Sequence, residues 1–125
     1  MPEKYKNELQ DLNDCSIIFV CYHGWNRSRA SSEALNDTGL HTGYYKGGTK
    51  EMSKKNVDEL KKEIGGCANI IVIYDPSENQ PGEFEAKELV IDKLKESNVD
   101  FEVWSNTKLA TYMFDQDINL AEYMP

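Results

Sequence analysis

The sequence predicts a single α/β domain, with a four-stranded parallel sheet flanked by helices on both faces. Short apolar runs rich in β-branched residues alternate with segments whose apolar residues recur at helical spacing. This strand–helix alternation occurs about four times along the chain. No repeat, linker or low-complexity tract divides residues 1–125, and 125 residues suit one domain.

The four strands are predicted from their composition. Residues 16–20 and Asn69–Tyr74 are continuous apolar runs, which are typical of strands buried on both faces. Residues 41–46 predict a short strand that ends before Gly47-Gly48. Residues 99–104 alternate in polarity, which favours a strand nearer an edge of the sheet.

The helices are predicted from apolar periodicity and from end signals. Residues 3–12 form a short amphipathic helix, and residues 28–37 form a second one that ends near Gly39. Its inward-facing residues are Ala30, Ala34 and Leu35.

The next predicted helix is capped by Ser53 and ends at Gly65-Gly66. Residues 83–97 predict a further helix, whose apolar stripe consists of Phe84, Leu89, Val90 and Leu94. Residues 108–114 are compatible with a strand or a helix, and residues 120–123 with at most one helical turn.

The charge of the chain excludes several classes of partner. It has 14 Lys and Arg against 22 Asp and Glu, a formal net charge of −8. Such a surface repels nucleic acid and anionic membranes, so we expect neither as a partner. The three cysteines, without an export signal, favour reduced thiols and a cytoplasmic location. Because the net charge is negative, an anionic ligand would need a local binding site on this protein.

The loop between the first strand and the following helix has the residue types that suit such a site. Backbone N–H groups at a helix start have no partner within the helix and can surround an oxyanion. Gly24 permits a tight curl, and the Arg27 fork can hold two phosphate oxygens. The loop residues in order are Cys21, Tyr22, His23, Gly24, Trp25, Asn26, Arg27 and Ser28.

Cys21 is the candidate nucleophile of this loop. The positive field of the helix N-terminus favours its thiolate, and Ser28 can donate a hydrogen bond to the sulfur. The segment from Tyr22 to Arg27 is the candidate phosphate-binding loop, in which Trp25 could also pack against an aromatic substrate and His23 is expected to be exposed. A second interpretation is that Cys21 merely ends the strand as a small buried residue.

The Cys-x5-Arg-Ser pattern resembles the signature of the cysteine-dependent protein tyrosine phosphatases. Its position near the N-terminus, as Phe19-Val20-Cys21 followed by Arg27-Ser28, is most similar to the low-molecular-weight branch, which includes arsenate reductase relatives. The resemblance covers residues 16–37 and is only topological afterwards. It implies a cysteine-dependent phosphomonoester hydrolase that forms a cysteinyl-phosphate on a phosphorylated protein or small phosphomonoester. No cofactor is expected, and no metal either, because the two His and three Cys show no paired ligand spacing.

The sequence departs from that branch at two loop positions. Asn26 stands where a second cysteine is usual, so a protective disulfide within the loop is not available. Gly24 stands where the branch usually has Asn.

The resemblance also implies a carboxylic acid that protonates the leaving group, and three residues are candidates. By chain order, the acid would follow the fourth strand, where Asp115 and Asp117 occur. The only Asp-Pro pair is Asp75-Pro76, which follows the third strand. The choice among these carboxylates, and whether the loop has a dedicated acid at all, stays open at this point.

Two other functions remain in view. An arsenate or other oxyanion reductase on the same fold would use Cys15 or Cys67 as a resolving thiol. Both cysteines precede their strands, so we expect them at the opposite end of the sheet from Cys21 and inert. A non-catalytic phosphate-binding module would use the loop without turnover. A further possibility is that Lys46, Lys50, Lys54 and Lys55 form a basic rim that attracts phosphate, or simply a solvated face.

Overall fold

Four parallel strands form one sheet with the spatial order β2-β1-β3-β4 in the computed structural model, which describes residues 15–23, 26–76 and 81–124. The side chain of Asn26 is outside this description. The strands are β1 (Ile17–Val20), β2 (Thr42–Tyr44), β3 (Asn69–Tyr74) and β4 (Phe101–Ser105).

The helices connect these strands in the predicted order, and the α/β fold class is confirmed. They are α1 (Asn26–Asn36), α2 (Gly48–Met52), α3 (Val57–Ile64), α4 (Glu83–Glu96) and α5 (Asn106–Asp115), followed by a 3₁₀ turn (Leu120–Tyr123). No helix within the described ranges has the length and apolar character that crossing a bilayer requires. The predicted helix over residues 3–12 lies outside the described residues.

The two apolar strands occupy the centre of the sheet. β1 pairs with β2 on one side and with β3 on the other, with Val20 opposite Val72. Strand β4 lies at an edge, as its alternating pattern predicts. Because central strands are covered on both faces, their residues can be apolar throughout.

A separate apolar core covers each face of the sheet. On one face, Ile18 and Val72 pack with residues of α2, α3 and α4: Met52, Leu60, Ile64, Val90 and Leu94. On the other face, Phe19 and Ile71 pack with residues of α1 and α5: Leu35, Leu109 and Met113. Successive strand residues point to opposite faces, so one short strand serves both cores.

The prediction for α1 is confirmed, because its predicted inward residues Ala30, Ala34 and Leu35 are buried. The ambiguous segment 108–114 is helical, as part of α5, and residues 120–123 form one 3₁₀ turn. The side chain of Ser105 accepts a hydrogen bond from the Lys108 amide and caps α5. That cap decides in favour of a helix.

The predicted cap at Ser53 is wrong. Ser53 ends the short helix α2, and Asn56 caps α3 instead. The Asn56 side chain accepts from the Glu59 amide at 2.9 Å, and the Glu59 carboxylate accepts from the Asn56 amide at 3.3 Å. This reciprocal capping box satisfies two helix-end donors, whereas Ser53 donates its hydroxyl to the Lys50 carbonyl.

The predicted apolar stripe of α4 is wrong at two of its four positions. Phe84 and Leu89 are 64% and 51% exposed, whereas Val90 and Leu94 are fully buried. The buried face of α4 consists of Glu83, Ala86, Val90 and Leu94. At 3.6 residues per turn, Phe84 and Leu89 lie about 100° or more away from that face.

Candidate active site

The Cys21 sulfur lies at the carboxyl end of the central strand β1. Cys21 follows Val20 directly and is 3% exposed, and Ser28 in the first turn of α1 is fully buried. Cys21 Sγ lies 3.2 Å from Ser28 Oγ, within hydrogen-bond distance. Cys21 is the donor of this hydrogen bond, so the two side chains are in contact, but the predicted donation from Ser28 to the sulfur is not the arrangement seen for the thiol.

The start of the loop is held by backbone hydrogen bonds from α2. The Thr49 amide donates to the Cys21 carbonyl at 2.9 Å, and the Lys50 amide donates to the Tyr22 carbonyl at 3.1 Å. Gly47 precedes α2 at φ 86°, where a Cβ atom would lie 2.3 Å from Glu51 Cγ. Glycine is required there because both the backbone conformation and the available space exclude a side chain.

Arg27 connects the loop to the end of strand β4. Its Nη1 donates to the Asn106 side-chain oxygen at 2.6 Å, and the Arg27 side chain is half-buried. Asn106 is the first residue of α5 and follows β4 directly. A guanidinium group has five N–H donors in a fixed plane, so this contact with a single nitrogen orients the group.

Sequence reasoning missed Asn106. The signal that could have indicated it is positional, because the carboxyl ends of parallel strands meet at one edge of the sheet. The first residue after β4 therefore lies at the same edge as the loop after β1.

Tyr22 is buried, and its hydroxyl donates to the Pro81 carbonyl at 3.0 Å. The ring of His23 lies 4.6 Å from the Tyr22 ring between centroids, and His23 is exposed as predicted. Gly24 and Trp25 lie outside the described residues. Their predicted roles, and the phosphate contacts proposed for the loop amides, stay predictions.

The three candidate acids do not lie at one edge of the sheet. Asp75 follows β3 directly and is half-buried. Strands β1 and β3 are parallel, with Val20 opposite Val72, so the residues that follow the two strands leave the sheet at the same edge. Asp75 therefore shares the carboxyl edge with Cys21.

Asp115 and Asp117 lie elsewhere. Helix α5 starts at the carboxyl edge and runs back over the sheet for 10 residues, a length of about 15 Å. Both carboxylates are exposed at its far end. Asp117 has a left-handed backbone at φ 59° and lines a surface pocket with Phe114 and Leu120. The structure brings neither of them to the Arg27–Asn106 contact.

A buried carboxylate that sequence reasoning missed lies at the start of α4. Glu83 is 7% exposed and is the first residue of that helix. Its neighbour Gly82 has φ 85°, and a Cβ atom there would lie 3.3 Å from the Tyr22 hydroxyl.

The other two cysteines lie at the amino end of the sheet, as predicted. Cys15 precedes β1 and Cys67 precedes β3, and their sulfur atoms are 2.8 Å apart. The six-residue step from Cys15 to Cys21 along an extended chain spans about 20 Å. Neither thiol therefore reaches the Cys21 sulfur in this fold.

The basic rim receives limited support. Lys50 follows Thr49, next to the loop, and is exposed. Lys54 lies 3.3 Å from the Glu51 carboxylate, so its charge is partly compensated. Among the residues described, no group of three or more His, Cys, Asp or Glu side chains could hold a metal ion.

Comparison with known proteins yields no relative for this chain: no family model, curated protein or solved structure matches it.

Proposed function

We propose that this protein is a cysteine-dependent phosphomonoester hydrolase of the protein tyrosine phosphatase type. The observation that carries the proposal is the position of Cys21 Sγ, 3.2 Å from Ser28 Oγ at the carboxyl end of a central parallel strand. Arg27 lies in the same helical turn as Ser28. Open parallel sheets bind ligands beyond the carboxyl ends of their strands, and this edge holds all three residues.

In the first step, the Cys21 thiolate attacks phosphorus in line with the leaving oxygen. The S–P bond forms and the P–O bond breaks, and a carboxylic acid gives its proton to the leaving oxygen. Arg27 and the loop amides stabilise the charge that develops on the equatorial oxygens.

In the second step, water attacks the cysteinyl-phosphate. The S–P bond breaks, the carboxylate takes a proton from the water, and inorganic phosphate leaves. The sulfur departs as a thiolate, and the Ser28 hydroxyl stabilises it by donating a hydrogen bond. The buried Ser28 side chain contacts the sulfur that attacks in the first step and departs in the second.

Among the predicted acids, position favours Asp75. It is half-buried and follows β3 at the edge where Cys21 lies. Asp115 is the last residue of α5 and Asp117 lies just beyond it, about 15 Å from the start of that helix. A general acid must come within hydrogen-bond distance of the leaving oxygen. The placement of α5 keeps both Asp115 and Asp117 away from that oxygen.

A phosphate-binding module without turnover is the second candidate function. By chain order the general acid would follow the fourth strand. The residues at the junction of β4 and α5 are Ser105, Asn106 and Thr107, and none of them has a carboxyl group that could protonate a leaving group. The reductase alternative loses support, because Cys15 and Cys67 lie at the opposite edge from Cys21.

Hydrolysis of p-nitrophenyl phosphate tests the proposal. We expect Cys21→Ser to abolish turnover and Arg27→Ala to lower it by about 10²–10³-fold. The matched control Cys67→Ala removes a thiol at the other edge and should keep wild-type turnover. Equal activity in the wild type, Cys21→Ser and Arg27→Ala would refute the hydrolase. Tight tungstate binding by a wild type without turnover would instead establish the binding module.

A further inference from the structure

Two cysteines outside the candidate active site face each other across adjacent strands. Cys15 Sγ and Cys67 Sγ are 2.8 Å apart, although the residues are separated by 52 positions in the chain. Ile17 lies opposite Asn69 in the β1–β3 register, so continuing the register by two residues brings Cys15 opposite Cys67. The Ala68 amide also donates to the Cys15 carbonyl at 3.0 Å, which fixes the two backbones beside each other.

This backbone geometry suits a disulfide. Neighbouring strands in a sheet lie about 4.8 Å apart. A disulfide needs Cα atoms roughly 4.4–6.8 Å apart, and its sulfur atoms are about 2.0 Å apart. The two sulfurs would therefore have to move by less than about 1 Å, which side-chain rotation provides while the strands stay paired.

Cys67 is the less buried of the two thiols and has a lowered pKa. Cys67 is 8% exposed and stands between two exposed residues, Gly66 and Ala68, whereas Cys15 is 2% exposed. The hydrogen bond with the Cys15 thiol lowers the pKa of Cys67 to about 7, assisted by backbone hydrogen bonds at Asn69 and opposed by burial. Thiol–disulfide exchange begins with a thiolate, so Cys67, with its lowered pKa and smaller burial, is the attacking group in the proposal.

We propose that Cys15 and Cys67 form a reversible dithiol–disulfide couple that cross-links β1 to β3, with a low-molecular-weight disulfide such as oxidised glutathione as the oxidant. The Cys67 thiolate attacks one sulfur of the oxidant, which gives a mixed disulfide and releases one thiolate. Cys15, after losing its proton, attacks the Cys67 sulfur and releases the second thiolate. The protein loses two electrons and two protons, and one oxidant molecule becomes two thiols.

The cross-link would close a loop that contains β1, α1, β2, α2 and α3. A closed loop restricts the unfolded chain, so the oxidised protein is the more stable form. The sequence alone led us to expect both cysteines to be inert, and the proposed couple is the opposite expectation, which the experiment below tests. It is independent of the proposed function, because the pair lies at the edge opposite Cys21.

Equilibration in glutathione buffers of graded redox ratio tests the couple. Samples are quenched with an alkylating agent and the cysteine peptides are identified by mass spectrometry. We expect a Cys15–Cys67 disulfide that dithiothreitol reverses, and a midpoint melting temperature about 10–15 °C higher in the oxidised form. The equilibrium constant for forming the disulfide should be about 10³-fold larger in the native protein than in the chain in denaturant. The reason is that the disulfide stabilises the folded state by the same free energy by which folding stabilises the disulfide.

Three variants complete the test. Cys15→Ala should retain a mixed disulfide of glutathione on Cys67, and Cys67→Ala should form neither product at these two positions. The matched control Cys21→Ser should form the Cys15–Cys67 bond with the wild-type midpoint. Absence of the bond at every redox ratio, or equal formation in the native and denatured protein, would overturn the proposal. These results do not depend on phosphatase activity, so either proposal can fail alone.

Discussion

The contact between Arg27 and Asn106 gives the sharpest prediction about the site. Arg27 Nη1 donates to the Asn106 side-chain oxygen at 2.6 Å, and we expect this contact to aim the guanidinium group at the phosphate. The informative change is Asn106→Ala. Alanine is a good helix former, and Ser105 still caps α5, so the helix itself should persist.

The magnitude follows from the strength of the contact and its exposure. A hydrogen bond to a charged group contributes about 1.5–3 kcal/mol. Arg27 is half-buried, so water replaces part of the lost contact and the lower end of that range applies. A loss of about 1.5 kcal/mol corresponds to about a tenfold fall in kcat/KM. That fall is smaller than the loss of about 10²–10³-fold expected for Arg27→Ala.

Kinetics with p-nitrophenyl phosphate in a double-mutant cycle provide the assay. If Asn106 acts through Arg27, Asn106→Ala should have no further effect in an Arg27→Ala background. The matched control Asn56→Ala removes the cap of α3, costs about 1 kcal/mol of stability and should leave kcat/KM unchanged. A tenfold loss that persists without Arg27 would refute the reasoning, and so would full activity of Asn106→Ala beside an inactive Arg27→Ala.

Three further predictions concern the acid, the core and the amino edge. Asp75→Asn should slow hydrolysis of phenyl phosphate by about 10²-fold or more and that of p-nitrophenyl phosphate less, since the poorer leaving group needs the proton; Asp115→Asn is the control, and equal rates for both variants would exclude Asp75. Leu94→Ala should lower the free energy of unfolding by about 2–5 kcal/mol in urea titrations, whereas the exposed Phe84→Ala should change it by less than about 1 kcal/mol. The rate of Cys67 alkylation by iodoacetamide should rise with pH through a midpoint near its pKa of about 7, and this midpoint should shift towards 9 in denaturant. Because the pKa is lower in the folded state, the stability that the thiolate contributes is complete above pH 9 and is lost as the pH falls through 7. A native midpoint near 9 would contradict this prediction.

The order of the elements was predictable because it depends on local chemistry. The run Asn69–Tyr74 is apolar at nearly every position, and it is stable as a strand that is covered on both faces. The predictions of helix caps and buried helix faces were wrong where the local sequence is compatible with more than one structure. Ser53 and Asn56 are both acceptable caps, and only the path of the chain between α2 and α3 selects Asn56. Phe84 is apolar, yet the packing of α4 on the sheet turns it to solvent.

For the candidate site, the sequence identified the residues that are adjacent in the chain. Cys21 and Ser28 are separated by a single loop, so strand–loop–helix geometry alone brings them together. Asn106 lies 79 positions from Arg27, and no local pattern connects them. The same holds for the contact between Cys15 and Cys67, whose partners come from separate strand–helix units.

The sequence by itself determined the strand–helix alternation and the Cys-x5-Arg-Ser loop, because both arise from short-range periodicity and spacing. Only the tertiary structure decided which distant side chains share an edge of the sheet. Strand order and helix direction set that outcome: β3 brings Asp75 to the edge of Cys21, and the length of α5 takes Asp115 and Asp117 away from it. Such placement depends on how whole elements pack, which no local stretch of residues encodes.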